Sequence, residues 1–187
     1  RNKQKREEFS HKYNAPIFDT LKKLLQTDFD FIVSCVNKAE ICNTVRELAG
    51  KNIPLLTETP IGTSNKEIDD FLAEIKPDWR VQVAEQFHFS PRNMAIKSVI
   101  ESGILGEVNQ VQISCCHDYH AASLIRFFLD TKDEMPEVSS FTLPDSVTRY
   151  NSRRGLLEEP QIVTAEEKIV ILRFKNKTAL YDFNYEQ

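Results

Sequence analysis

Val36, Asn37, Glu58, Thr59, Pro60 and Gln86 each fall at or near the carboxyl end of a short apolar run that reads as a β-strand. Ligands of parallel α/β sheets collect beyond the carboxyl ends of the strands. Glu58, a carboxylate beside Pro60 in such a place, therefore reads as a site residue rather than a cap or a surface charge. A second group, Cys115, Cys116, His117, Asp118 and His120, combines thiol, imidazole and carboxylate, the donor types that bind zinc. Its spacing matches no recognised zinc pattern, so no metal is expected. If the strand before it ran on, Cys115, His117 and Tyr119 would share one face, and Cys116 and Asp118 the other. No base that could activate Cys116 is identifiable, so it is not expected to act as a nucleophile. An imidazole titrates near neutrality, which suits His120 to carrying a proton.

The elements that must position these residues follow from apolar periodicity. A charged helix covers Asn2 to Tyr13, and Phe18 to Leu25 shows one apolar helical face, capped by Asp19 or Thr20. Asp30 to Val36 has the composition of a buried parallel strand. Ala39 to Ala49 is an amphipathic helix stopped by Gly50, with Ile41, Val45 and Leu48 inward. Ile53 to Thr57 is the next strand. Asn65 to Ile75 is a helix capped by Ser64 or Asn65 and blocked by Pro77. Arg80 to Phe87 is the third strand. Strand and helix in alternation, with short connections, predict right-handed crossovers and a parallel sheet.

Past Pro91 the pattern changes. A helix over Arg92 to Ser102 ends at Gly103, and Val108 to Ser114 alternates as a half-buried strand. His120 to Leu129 reads as helix, and Thr131 to Glu159 as polar and irregular. Ile169 to Phe174 and Thr178 to Phe183 flank Lys175-Asn176-Lys177, a hairpin signal. The fold class expected is α/β: a partial Rossmann-like parallel sheet over residues 1–90, then an α+β domain with a mainly antiparallel sheet over residues 91–187.

With a net charge of −4, the chain is not expected to bind nucleic acid. No apolar run approaches the roughly 20 residues that span a bilayer, and no secretory run opens the sequence, so no membrane partner and a cytoplasmic location are expected. Vicinal Cys115 and Cys116 would form a strained ring if oxidised, which also favours a reducing compartment. The five glycines form no Gly-x-Gly-x-x-Gly.

Several landmarks occur together and in order: Asp30, Gly50-Lys51, Glu58 with Pro60, Gln86-Phe-His-Phe-Ser-Pro91, Gly103-Ile-Leu-Gly106-Glu-Val108 and His120-Ala-Ala-Ser-Leu-Ile-Arg126. In this the chain resembles the Gfo/Idh/MocA oxidoreductases, related to glucose–fructose oxidoreductase and inositol dehydrogenase. The resemblance implies hydride transfer between NAD or NADP and a small-molecule substrate, a sugar, polyol or related carbonyl compound. It implies that Glu58 and Pro60 lie at the nicotinamide, that Gln86 replaces an asparagine that bonds the carboxamide, and that Val36 and Asn37 stand where Thr-Pro packs on the cofactor. His120 matches the catalytic histidine. The sequence departs from the pattern at two places. Thr59 stands where the family has a lysine that stabilises a developing alkoxide, with Lys38, Lys51 and His88 as the nearest replacement cations in sequence. Cys116 stands where an aspartate precedes the histidine, and Asp118 is two residues out of place. These departures leave open a non-catalytic relative that binds a dinucleotide or sugar as a sensor or scaffold. Arg1 or Lys3, after the strand that would precede them, favours NADP over NAD. The resemblance also implies that a first strand, glycine turn, helix and second strand lie upstream of Arg1, that more chain follows Gln187, and that the open face of the C-terminal sheet pairs with a second copy.

Overall fold

The computed structural model describes residues 3–149 and 159–184. The chain divides into two compact units, Arg1–Val83 and Ala84–Gln187.

The first unit is built on a three-stranded parallel sheet, β1 (Ile32–Ser34), β2 (Leu55–Thr57) and β3 (Val81–Val83), in that spatial order. Helix α1 (Lys3–Tyr13) buries no side chain, as its almost uninterrupted polar sequence requires. A single turn, α2 (Leu21–Leu24), starts where Thr20 accepts a hydrogen bond from the Lys23 amide. Helix α3 (Lys38–Ala49) joins β1 to β2. It turns Ile41, Cys42, Val45, Leu48 and Ala49 into a core completed by Leu55 and Phe71. The Ile, Val, Leu and Phe side chains among them each contribute roughly 1.5–3 kcal/mol by leaving water. Helix α4 (Asn65–Glu74) joins β2 to β3, and its start is doubly fastened. Ser64 Oγ accepts from the Glu67 amide at 3.2 Å, while Glu67 Oε2 accepts from the Thr63 amide at 2.6 Å and the Thr63 hydroxyl at 2.9 Å. These bonds hold the Glu67 carboxyl below the usual carboxylate range, the Thr63 amide being the largest cause.

The second unit opens with a 3-10 turn, Phe87–Phe89, and α5 (Pro91–Glu101), whose first turn is capped by Ser90. Gly103 and Gly106, both in the left-handed region at φ 75° and 69°, make the turn into β4 (Gln110–Ile113). Helix α6 (Asp118–Leu129) follows, closed by Asp130 in the left-handed conformation. The sheet runs β4-β7-β6-β5. Its other strands are β5 (Glu137–Arg149), β6 (Gln161–Arg173) and β7 (Thr178–Phe183). β4 and β7 are parallel; the other neighbours are antiparallel. Ala121, Leu124, Ile125, Phe128 and Leu129 of α6 pack on Ile113, Ala179 and Tyr181 to make a second core.

Two expectations are corrected. Residues 137–149, read as irregular, form a 13-residue strand paired with β6 from Glu137↔Arg173 to Arg149↔Gln161. Pro144, which suggested a break, is tolerated because β5 is an edge strand that can leave one side of its backbone unpaired. The third strand stops at Val83 instead of reaching Phe87. There the Glu85 carboxylate accepts from the Phe87 amide at 3.3 Å and Asn93 Nδ2 donates to the Phe87 carbonyl at 2.8 Å, which turns the chain. The hairpin around Lys175-Asn176-Lys177 is present, with the Phe174 amide donating to the Lys177 carbonyl at 2.8 Å.

Candidate functional site

The first unit collects Val36, Asn37, Glu58, Thr59 and Pro60 on one rim because β1 and β2 are parallel and in register, Ser34 opposite Thr57. The Glu58 amide donates to the Ser34 carbonyl at 3.1 Å, carrying the pairing one residue past the strand. Glu58 is exposed and its carboxylate accepts from the Thr59 amide at 3.3 Å. Thr59 and Pro60 are half-buried and joined by a cis peptide bond. Just beyond, Gly62 lies so close to α4 that a Cβ there would meet Ile68 Cγ1 at 2.8 Å. Asn37 caps α3, its side-chain oxygen accepting from the Ala39 amide at 3.2 Å.

Ser34 Oγ and Thr57 Oγ1, buried at neighbouring register positions below this rim, have no hydrogen-bond partner among the described residues. Buried polar atoms are normally satisfied, so such a pair marks a place where a polar group is wanted. Half-buried Val36 and Pro60 offer apolar contact to a ring, and Asn37 and Glu58 offer polar contact. These residues fit the nicotinamide end of a dinucleotide. They do not include the glycine-rich turn that holds its diphosphate. Of the cations named from sequence, Lys38 opens α3 at this end of the sheet. Lys51 follows α3 at the opposite end, before β2, and is removed from the rim. Arg1 lies outside the described residues, and exposed Lys3 lies 3.8 Å from Glu7.

In the second unit, Gln86 is exposed in the loop before the 3-10 turn, beside Glu85. His120 lies in the first turn of α6, and its Nδ1 is 2.6 Å from Glu85 Oε2. The side chains of the pair are 13% and 18% exposed, which shields them from screening by water. The imidazole is bracketed by rings: Tyr119 at 4.4 Å, Phe87 at 4.7 Å and His117 at 4.9 Å between centroids. With Nδ1 occupied, Nε2 is the nitrogen left to exchange a proton.

The surrounding residues have other work. Cys116 is turned into the second core, where burial and the neighbouring Cys115 push its thiol up to about 12. It stays protonated and cannot stand in for a carboxylate. β4 ends at Ile113, so the residues up to His120 do not alternate as a strand would. The Asp118 amide donates to Tyr181 Oη at 3.1 Å, and the Tyr181 hydroxyl lies 3.5 Å from Asp118 Oδ1. Burial raises the Tyr181 phenol above its ordinary range. His88 Nε2 is 2.7 Å from Ser123 Oγ and its ring stacks on Phe127 at 4.7 Å, so it serves the packing of α6. Among the described residues no three His, Cys, Asp or Glu side chains are grouped to hold a metal.

A cavity of about 740 Å³ lies in the same unit along α5 and β4, lined by Ile96, Val99, Leu105, Val108 and Phe128, with Cys115 at its wall. His120 does not line it; its lining is mostly apolar, with Arg92, Asn93, Gln110, Gln112 and Ser114 among its residues.

Glu85 is the site residue that sequence reasoning passed over. Extending the third strand to Phe87 made Glu85 an ordinary strand residue, although it directly precedes Gln86 in a loop after a strand. Its pairing with a residue 35 positions away has no local signature.

No protein-family model matches the chain. Over 128 residues, 66% of this chain and 29% of the relative, it is 29% identical to YteT of Bacillus subtilis, a protein assigned as an oxidoreductase. Among solved structures, it is similar to GenD2 of gentamicin A biosynthesis, determined in complex with NAD. That match has a TM-score of 0.74 at 16% identity, over 100% of this chain and 57% of that one. It is also similar to a Sinorhizobium meliloti protein assigned as a myo-inositol dehydrogenase, with a TM-score of 0.72 at 18% identity, over 97% of this chain and 58% of that one. The chain spans less than a third of the curated relative and a little over half of these solved structures. A parallel unit followed by a mixed sheet is thus the fold it shares with these solved structures.

Proposed function

We propose that this chain is part of an NAD(P)-dependent oxidoreductase of the Gfo/Idh/MocA type, acting on a sugar, polyol or related small carbonyl compound. The observation that carries this reading is His120, a half-buried imidazole fastened through Nδ1 at the start of a helix, with Nε2 left for exchange. The likeness to a structure that binds NAD supports it, as does the likeness to an oxidoreductase in sequence. When bound, a nicotinamide accepts or returns a hydride at the substrate carbon. This chain supplies the other half of the oxidation: His120 Nε2 takes the proton from the hydroxyl oxygen, and the carbinol, having lost a hydride from carbon and a proton from oxygen, becomes a carbonyl. The resemblance assigns Val36, Asn37, Glu58 and Pro60 to the nicotinamide end, Gln86 to the carboxamide and Thr59 to the place of the lysine. Threonine carries no charge, so at its own position Thr59 offers a neutral hydroxyl instead of the cation that would stabilise a developing alkoxide.

The sheet face opposite α6 carries Phe141 and Leu143, exposed at 49% and 44%, beside half-buried Ile169, Ile171 and Leu180. We place a second copy of the protein there, and the working compartment in the cytoplasm. The four cysteines are free, and among the described residues no helix is long and apolar enough to cross a membrane.

Absorbance of the reduced nicotinamide across a polyol and sugar panel, with NAD and NADP in turn, tests the reading. Turnover with one pair, reduced about 10²–10⁴-fold in His120→Ala, is expected. Cofactor binding with no turnover on any substrate would support the sensor reading instead.

A further inference from the structure

We infer that Glu85 is the positioning residue of the site, fixing the tautomer and orientation of His120 in place of the carboxylate that Cys116 does not supply. The inference rests on the oxidoreductase reading for its consequence in turnover, but its structural content stands apart from it.

Glu85 Oε2 lies 2.6 Å from His120 Nδ1, a short charge-assisted contact. The other oxygen, Oε1, accepts from the Phe87 amide at 3.3 Å. The carboxylate is thus held at both ends, by the backbone of its own loop and by the imidazole. Phe87 follows two residues later and sets its ring 4.7 Å from the imidazole, so one short segment supplies both the acceptor and a wall. That segment is itself anchored, because Asn93, buried in α5, donates to the Phe87 carbonyl at 2.8 Å. The alternatives near His120 are spent: Asp118 is engaged with Tyr181, and Cys116 is a buried thiol facing the core.

A carboxylate can only accept a hydrogen bond, so it selects the neutral imidazole with the proton on Nδ1. The lone pair then sits on Nε2, where a hydroxyl proton can be received. A glutamine at the same position presents either an oxygen or an NH₂ to the ring and no longer selects one tautomer. Orienting partners of this kind act on a histidine they touch without meeting the substrate.

The test is the ¹⁵N spectrum of the His120 ring in its neutral form, assigned by difference from His120→Gln, together with steady-state kinetics. The Nδ1-protonated tautomer is expected in the wild type, and a mixture in Glu85→Gln. With an active substrate pair, Glu85→Gln lowers kcat about a hundredfold with KM changed less than about threefold. Glu85→Asp, which keeps an acceptor-only group, restores the single tautomer and part of kcat. It also carries the measurement if Glu85→Gln does not fold. An unchanged ring spectrum in Glu85→Gln overturns the inference, as does a loss of kcat that Glu85→Asp does not relieve. If no substrate turns over, the oxidoreductase reading fails, while the ring spectrum still decides the role of Glu85.

Discussion

In the first unit the candidate residues Val36, Asn37, Glu58, Thr59 and Pro60 all follow three-residue parallel strands, and backbone pairing alone brings them to one rim. In the second, His120 is placed by side chains: a carboxylate 35 residues earlier in the chain, a phenylalanine from the same loop, and a helix start tied to Tyr181 of β7. A rim made by backbone register tolerates exchanges such as threonine at position 59, because the strand ends persist whatever side chain they carry. An imidazole held by side chains requires a partner of the right chemistry within reach. When Cys116 failed to provide one, Glu85 did so from another element. Placement by register and placement by pairing therefore fail in different ways on mutation.

The largest effects should come from the two cores that underlie these two modes. Leu124→Ala, in the second core at 0% exposure, should cost about 2–5 kcal/mol and lower hydrogen-exchange protection of α6. Leu48→Ala should cost a similar amount and be read in α3. Equal loss of protection in both helices from either substitution would break the distinction between separately packed regions.

Tyr181→Phe removes the acceptor of the Asp118 amide and should cost about 1–3 kcal/mol by denaturant titration. It should also loosen the first turn of α6, visible in the His120 ring signals. A stable variant with unaltered His120 signals would mean that β7 does not help to place the imidazole.

Asn37→Ala should cost about 1 kcal/mol, since its oxygen caps α3. The first-unit rim should otherwise persist, and the other rim residues should keep their amide shifts. Broad shifts through Glu58 and Thr59 would show that side chains, not register, hold the rim.

The smallest effect concerns pH. The Glu67 carboxyl is depressed by hydrogen bonds from Thr63, so its contribution is present above the unfolded-state value and lost as pH falls through the folded one. Glu67→Gln should flatten the acid limb of stability in the first unit, followed by circular dichroism between about pH 5 and 2. An unchanged acid limb would discount this cap.

Much of the fold was legible. The strand and helix alternation from Asp30 onward is present, and Ile41, Val45 and Leu48 face inward as their spacing requires. The β6–β7 hairpin was signalled by two apolar runs around a polar turn. β5 was not legible, because Ser139, Ser140, Thr142 and Pro144 lack the strict alternation of a half-buried strand. The whole strand is held by 13 partners in β6 that lie beyond residue 160. Of the candidate site, the grouping of the rim residues was legible because it follows from strand order, and His120 was picked out because it opens a matched run. Glu85 was not, because a side-chain pair across 35 residues leaves no periodic trace.

Local sequence by itself determined the order of strands and helices from Asp30 to Val83, which helix faces are apolar and which residues cap helices, since these depend on neighbours within a few positions. The tertiary structure alone decided which carboxylate meets the imidazole, which cysteine turns inward and that an irregular-looking stretch becomes an edge strand. Those outcomes depend on contacts between residues far apart in the chain, whose energies exist only once the elements have packed.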